Sequence, residues 1–411
     1  MRLLLLALCG AAAPAAAQNG DWSLTLLPTD GGAVCLDSSP GGYYLRSPLA
    51  GAPPAPDSWL IYFEGGGWCL GLDNCWDRSN SSLGSSSTWP RHLPPNTLAP
   101  GVSYEGAQLF ASPPFASFTV VYAKYCDGSS WTGDNSSAQV TARGPVYFRG
   151  ARLLAALLAS LRAAGLDRAR ALLYSGCSAG AGTLYFHLDA LAAQAPAGAL
   201  VLGLADAMFA LDHAALPPAP SNHVSDMFSW GFYAWNASAH VNAACLARQP
   251  PAQAWKCMLG AVTAPFTATP LLVVNSRYDV WQEVAVLGLN SSACPGAVDA
   301  ATGAITLCRP GHGAEEAFWR AYGDALSAAV AALPPRHGAF LTNCPTHCTT
   351  GIGWGYPSSA GGATLGQAVA AWWRAAAAGA RDPGFVAPRF LAADGDQCPG
   401  YGAPGTCPLA L

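Results

Sequence analysis

Residues 171–193 read ALLYSGCSAGAGTLYFHLDALAA, and this stretch decides the fold. Ala171–Ser175 is a short apolar run of strand length that stops at Gly176, and Ala179–Ala193 resumes with the spacing of a helix. Between them Gly176-Cys177-Ser178-Ala179-Gly180 spells G-x-S-x-G. A serine on a sharp strand-to-helix turn lifts its hydroxyl clear of a sheet edge. The flanking glycines let strand and helix approach without Cβ clashes, and the helix N-terminus behind Ser178 favours a developing anion. Ser178 is therefore the expected nucleophile. Cys177 is the rival, set aside because the middle position carries the turn and a buried thiol is ordinarily inert.

Outward from this turn, apolar strands alternate with helical stretches. Strands are expected at Ser23–Leu27, Tyr43–Leu45, Trp59–Phe63, Phe118–Tyr122, Val201–Ala205, Pro270–Asn275 and Gly338–Thr342. Helices are expected at Val146–Ala164, Glu315–Ala332 and Leu365–Ala378. That alternation predicts an α/β fold with a mostly parallel sheet covered on both faces. Residues 70–116 read as a polar insertion and 212–268 as an irregular, partly helical cap. Gly65-Gly66-Gly67 follows the strand Trp59–Phe63, where a glycine triplet frees backbone N–H groups to meet a carbonyl oxygen. With the N–H of Ala179 these would form an oxyanion hole, and Trp68 would line the pocket. In this topology the acid and then the histidine follow the serine in chain order. Asp279, just after the strand PLLVVN, and His347, after GAFLT, sit where that order needs them. His213, His223, His240, His312 and His337 compete for the base, His312 foremost, and Asp206 and Asp226 for the acid.

The composition narrows the function classes. The 411 residues are 51% hydrophobic and only 11% charged, with a net charge of −4 and no basic run, which excludes a disordered chain and argues against nucleic acid as a partner. Residues 1–17, MRLLLLALCGAAAPAAA, read as a secretory signal peptide. No stretch of membrane-spanning length follows. Of 14 cysteines, Cys9 falls in the leader. Secretion favours bridges among the others. Spacing suggests Cys69–Cys75, Cys245–Cys257, Cys294–Cys308, Cys344–Cys348 and Cys398–Cys407, a long-range Cys35–Cys126 bridge, and Cys177 left over. Asn80, Asn135, Asn236 and Asn290 each begin an Asn-x-Ser glycosylation acceptor. Cys344, His347 and Cys348 are spaced as metal ligands also are, but with no second ligand cluster a disulfide clamp is the expectation and no metal is.

Several blocks in order carry a resemblance. AVCLDSSPGGYYL (33–45), WLIYFEGGGWC (59–69), YCDGSSWTGD (125–134), YSGCSAGAGTL (174–184), GLADAMFALD (203–212), NSRYDVWQ (275–282) and Cys344-x-x-His347-Cys348 resemble the signatures of the pectin acetylesterase family, which also contains the Notum-type palmitoleoyl-protein carboxylesterases. The resemblance implies an α/β-hydrolase domain over residues 18–411 and a triad of Ser178, Asp279 and His347. Together with the leader, the serine turn and the glycine triplet, these blocks lead to the expectation of a secreted serine carboxylesterase, a monomer without cofactor, acting on acetyl esters of a cell-wall or extracellular polysaccharide. EGGGWC and GCSAG are similar to the plant members, whereas Notum has Trp where this chain has Gly67. A lipid-deacylating esterase acting on an acylated protein is the alternative. An inactive glycan-binding protein on the same scaffold is the reading from another class.

Overall fold

The computed structural model describes residues 22–93, 105–215, 223–285, 314–358 and 362–392. The expected leader, Asn290, His312 and the pairs Cys294–Cys308 and Cys398–Cys407 lie outside them.

The strands are β1 (Trp22–Leu26), β2 (Gly42–Arg46), β3 (Ser58–Phe63), β4 (His92–Leu93), β5 (Thr119–Ala123), β6 (Gln139–Thr141), β7 (Gly144–Val146), β8 (Ala171–Cys177), β9 (Leu200–Asp206), β10 (Leu271–Ser276), β11 (Gly338–Thr342) and β12 (Arg389–Phe390). All but the β6–β7 hairpin join one sheet in the order β12-β11-β10-β9-β8-β3-β5-β2-β1-β4. Pairing is parallel from β5 to β12 and antiparallel at the β2-β1-β4 edge. The central strands are apolar on both faces, as parallel strands covered by helices must be. Along β3, Ile61 and Phe63 pack into one core cluster, while Leu60 and Tyr62 pack into the other. This is the period-two alternation of a strand between two layers.

The helices are α1 (Leu72–Ser79), α2 (Ala107–Ala111), α3 (Gly150–Ala163), α4 (Ala179–Ala193), α5 (His223–Ala234), α6 (Ala243–Leu246), α7 (Gly260–Thr263), α8 (Val280–Ala285), α9 (Ala314–Ala331), α10 (Thr349–Ile352) and α11 (Leu365–Gly379). Helix α3 buries Leu153, Leu154, Leu157, Leu158 and Leu161, an i, i+3, i+4 stripe aimed at the sheet. Helix α11 begins with a capping box between Thr364 and Gln367 and buries Trp372 on the other side. Residues within 212–268 form α5–α7 and three short 3₁₀ turns, stapled by Cys245–Cys257.

The register sets where the site falls. Phe63 pairs with Gly176, Cys177 with Asp206, Val274 with Asp206, and Ser276 with Thr342. The C-terminal ends of β3, β8, β9, β10 and β11 thus share one edge of the sheet. Glu64–Gly67, Ser178, Asp279 and His347 all follow within five residues of those ends.

The disulfides correct one expectation. Cys35–Cys126, Cys69–Cys75 and Cys245–Cys257 are present as anticipated. Cys348 does not pair with Cys344. It pairs with Cys177, Cα to Cα 5.4 Å, and Cys344 is bonded elsewhere. Four-residue proximity misled, because the sheet brings the ends of β8 and β11 to one edge although 171 residues separate the two cysteines. Cys177 accordingly has no thiol to act as a nucleophile.

Candidate active site

Ser178 sits between β8 and α4 with φ 56° and ψ −125°. A left-handed φ is costly for a residue with a Cβ and persists only where its surroundings over-determine it. Here the determinants are close packing and hydrogen bonds. A Cβ at Gly176 would lie 2.6 Å from the Gly180 backbone, and one at Gly180 only 2.0 Å from the Phe63 carbonyl oxygen, so only glycine fits either position. The Ser178 N–H donates to the Asp206 carbonyl at 2.9 Å, and its own carbonyl accepts from Gly182 at 3.0 Å. Ala179 opens α4, so its N–H has no acceptor within the helix.

The imidazole of His347 is hydrogen-bonded through Nδ1 to both carboxylate oxygens of Asp279, at 3.0 and 2.9 Å. Asp279 is buried, and its Oδ1 also accepts the N–H groups of Trp281 and Gln282, each at 3.0 Å. Those two amides belong to the first turn of α8, so the helix start fixes the carboxylate that meets the imidazole. Among the described residues no hydrogen bond joins Ser178 Oγ to His347; such contacts tighten when substrate binds. Burial alone would lower the basicity of His347. The charge and hydrogen bond of Asp279, with the carboxylates of Asp206 and Glu105, outweigh burial and raise its pKa above the ordinary value.

The rivals lie elsewhere. His337 is buried at the start of β11, at the opposite end of the sheet, and takes the Leu271 N–H. His240 contacts Asp134, and the His213 ring packs against Phe318 and Tyr322. Asp226 is exposed on α5. Asp206 is the near miss. It is fully buried at the end of β9 with its pKa pushed up to about 6 by desolvation, against hydrogen bonds from Thr350. Its Oδ2 accepts the Thr350 N–H and hydroxyl at 2.6 and 2.7 Å, while Oδ1 has no partner.

The glycine loop differs from expectation at one residue. The Gly65 N–H donates to Glu105 Oε2 at 2.6 Å, so it is committed away from a reacting oxygen. Gly66 and Gly67 have φ 129° and 71°, and a Cβ at Gly67 would meet only open space. Arg78 Nη2 donates to the Gly66 carbonyl at 2.6 Å, and Nε to Leu83 at 3.2 Å. A planar trans peptide points its N–H opposite its C=O. The Gly67 N–H therefore points to the side opposite the Arg78 guanidinium. Trp68 is buried and does not present a free face. Its Nε1 donates to Ser130 Oγ, which donates to the Ala179 carbonyl, so one hydroxyl ties the glycine loop to the start of α4. The Trp68 ring packs against Phe228 of α5 and against Trp281, which stacks on His347 at 6.0 Å.

Arg78, Glu105, Ser130 and Trp281 were not singled out from sequence. The blocks YCDGSSWTGD around Ser130 and NSRYDVWQ around Trp281 carried a signal, whereas Arg78 and Glu105 lie in no such block. A ring nitrogen of His347 lies within 4.8 Å of the sulfurs of both Cys177 and Cys348, but the disulfide leaves neither sulfur as a thiolate ligand. Of the glycan acceptors, Asn80 and Asn236 are exposed and Asn135 is half-buried; each donates Nδ2 to a backbone carbonyl, of Trp76, Asp134 and Ala234 respectively.

The pectinacetylesterase family model matches residues 15–381. Pectin acetylesterase 11 of Arabidopsis thaliana is 28% identical over 322 residues, covering 78% of each chain. The human palmitoleoyl-protein carboxylesterase Notum is 28% identical over 280 residues, covering 65% of this chain and 53% of its own. The solved structure of the Wnt deacylase Notum from Drosophila superposes with a TM-score of 0.69 at 21% identity, over 87% of this chain and 95% of that one, which supports the α/β-hydrolase architecture. With a family match this long, and the family's sequence blocks gathered at one sheet edge, the chain belongs to the pectinacetylesterase family.

Proposed function

We propose that the protein is a secreted serine carboxylesterase that removes acetyl groups from a cell-wall or extracellular polysaccharide. The hydrogen bond between His347 Nδ1 and the buried Asp279 carboxylate, at the sheet edge that also carries the Ser178 turn, supports this reading most directly. His347 Nε2 takes the Ser178 proton as Oγ attacks the acetyl carbonyl, and Asp279 holds the tautomer and stabilises the cation that forms. The oxyanion is met by the N–H groups of Gly66, Gly67 and Ala179. The imidazolium then protonates the leaving sugar oxygen, and water hydrolyses the acetyl-enzyme by the same route. None of these steps needs a metal or an organic cofactor. Among the described residues no helix is long and apolar enough to cross a membrane.

The test is acetate release from acetylated pectin and from a small aryl acetate. Wild type is expected to turn over both, and Ser178→Ala neither. Equal, slow release by the two proteins overturns the reading. The palmitoleoyl-protein carboxylesterase among the relatives supports a second reading, a long-chain deacylase. A chain-length series separates the two, since preference for eight or more carbons would favour the second.

A further inference from the structure

We propose that the Cys177–Cys348 disulfide is a positioning clasp for the nucleophile and the base, an inference that rests on the triad reading above. Cys177 immediately precedes Ser178, and Cys348 immediately follows His347. The bond thus joins the two neighbours of the groups that must exchange a proton. With Cα atoms 5.4 Å apart across the bridge, and consecutive Cα atoms about 3.8 Å apart, the backbones of Ser178 and His347 are held within about 13 Å. The bridge spans 171 residues of sequence, so chain connectivity near the two cysteines does not itself set this distance.

The surroundings bear this out. Ser178 and Cys348 both have left-handed φ, 56° and 61°, conformations that need external support. The disulfide is bonded at Cys348 itself and at the residue before Ser178, where it adds to the packing and hydrogen bonds that hold the turn. The imidazole lies beside the bridge, with a ring nitrogen within 4.8 Å of each sulfur. Asp206 makes a parallel, non-covalent link, since its backbone carbonyl accepts from Ser178 and its carboxylate from Thr350. Covalent and hydrogen-bonded ties therefore run between the same two segments. Misplacement by about 1 Å is enough to cost about 100-fold in rate.

The test compares full-length wild type with the double variant Cys177→Ser/Cys348→Ser, using Cys245→Ser/Cys257→Ser in the cap segment as the control. Without the clasp, kcat for an aryl acetate is expected to fall about 10–100-fold with KM within about twofold. The acid limb of kcat/KM is expected to move to lower pH as the imidazole loosens from Asp279; Asp206 and Glu105 are the other carboxylates that face it. The control is expected to keep both kcat and the limb. Unchanged kcat without the clasp, or equal losses in both variants with the limb unmoved, would overturn the proposal. Should the double variant fail to fold, wild type is treated with a water-soluble phosphine. The disulfide oxidises the phosphine to its oxide, whose oxygen atom comes from water, and is itself reduced to two thiols; peptide mapping gives the fraction opened. Activity falling in step with the opened Cys177–Cys348 fraction, and returning on reoxidation, supports the clasp; full activity with that bridge open refutes it. Ser178→Ala separates this from the hydrolase reading, which fails only if that variant stays active.

Discussion

Replacing Asp279 by asparagine tests how the imidazole is held. The substitution is nearly isosteric, and Oδ1 can still accept the Trp281 and Gln282 amides at 3.0 Å, so the start of α8 should not move. The other terminal atom changes from an acceptor to an NH₂ donor facing His347 Nδ1, which carboxylate oxygens now meet at 2.9–3.0 Å. The imidazole must then accept through Nδ1 and carry its proton on Nε2, the nitrogen required to take the Ser178 proton. In serine proteases the same exchange lowers kcat by about 10⁴, or about 5.4 kcal/mol at about 1.36 kcal/mol per decade. A pH effect accompanies it. Burial lowers the His347 pKa, but Asp279, Asp206 and Glu105 outweigh burial and raise it overall. With the neutral imidazole as the proposed base, activity should rise with pH through that raised pKa, and wild type should show an acid limb above about 6.5. Removing the Asp279 charge lowers the pKa, so the residual limb shifts to lower pH. Glu105→Gln should move the limb the same way without the tautomer penalty. Steady-state kcat and kcat/KM on an aryl acetate from pH 4 to about 9 provide the check. Activity of D279N within tenfold of wild type, with an unmoved limb, would refute the assignment of Asp279.

Two further outcomes follow from buried groups around the site. Arg78→Gln releases the Gly66 carbonyl, and kcat should fall by at least about tenfold, toward the 10²–10³ of a lost oxyanion donor, with little change in KM; matched thermal melts separate this from unfolding. Asp206→Asn should flatten the stability–pH curve. Desolvation raises the folded pKa of Asp206 to about 6, while the unfolded carboxyl titrates near 3.9. Wild type therefore has this contribution in full below about pH 4 and loses up to about 3 kcal/mol as pH rises through about 6, which urea denaturation across that window would detect as a difference between the two proteins.

The features legible in the sequence were those written locally. Apolar runs, bounded by glycine at β3, β8 and β11 and opened by Pro270 at β10, marked those strands, and the strand–serine–helix turn marked Ser178, because each depends on a few consecutive residues. Chain order then led to Asp279 and His347, which are hydrogen-bonded to each other. The contacts that cross the sheet edge were not legible. Arg78 and Glu105 lie in a polar insertion whose composition resembles any surface loop, yet one holds the Gly66 carbonyl and the other takes the Gly65 N–H. Cys348 stands four residues from Cys344 and 171 from Cys177, and only the strand order reveals that the distant partner is the near one in space. Val146 shows the limit of periodicity, since it continues the apolar spacing of α3 but pairs with Gln139 in the β6–β7 hairpin.

The central claim is that Ser178 is a hydroxyl made nucleophilic by His347. Labelling with a fluorophosphonate, followed by peptide mass spectrometry, tests it most directly. One adduct on Ser178 in wild type, absent from Ser178→Ala and strongly slowed in His347→Ala, is the predicted result. An adduct on another residue, or wild-type labelling rates in His347→Ala, would contradict it.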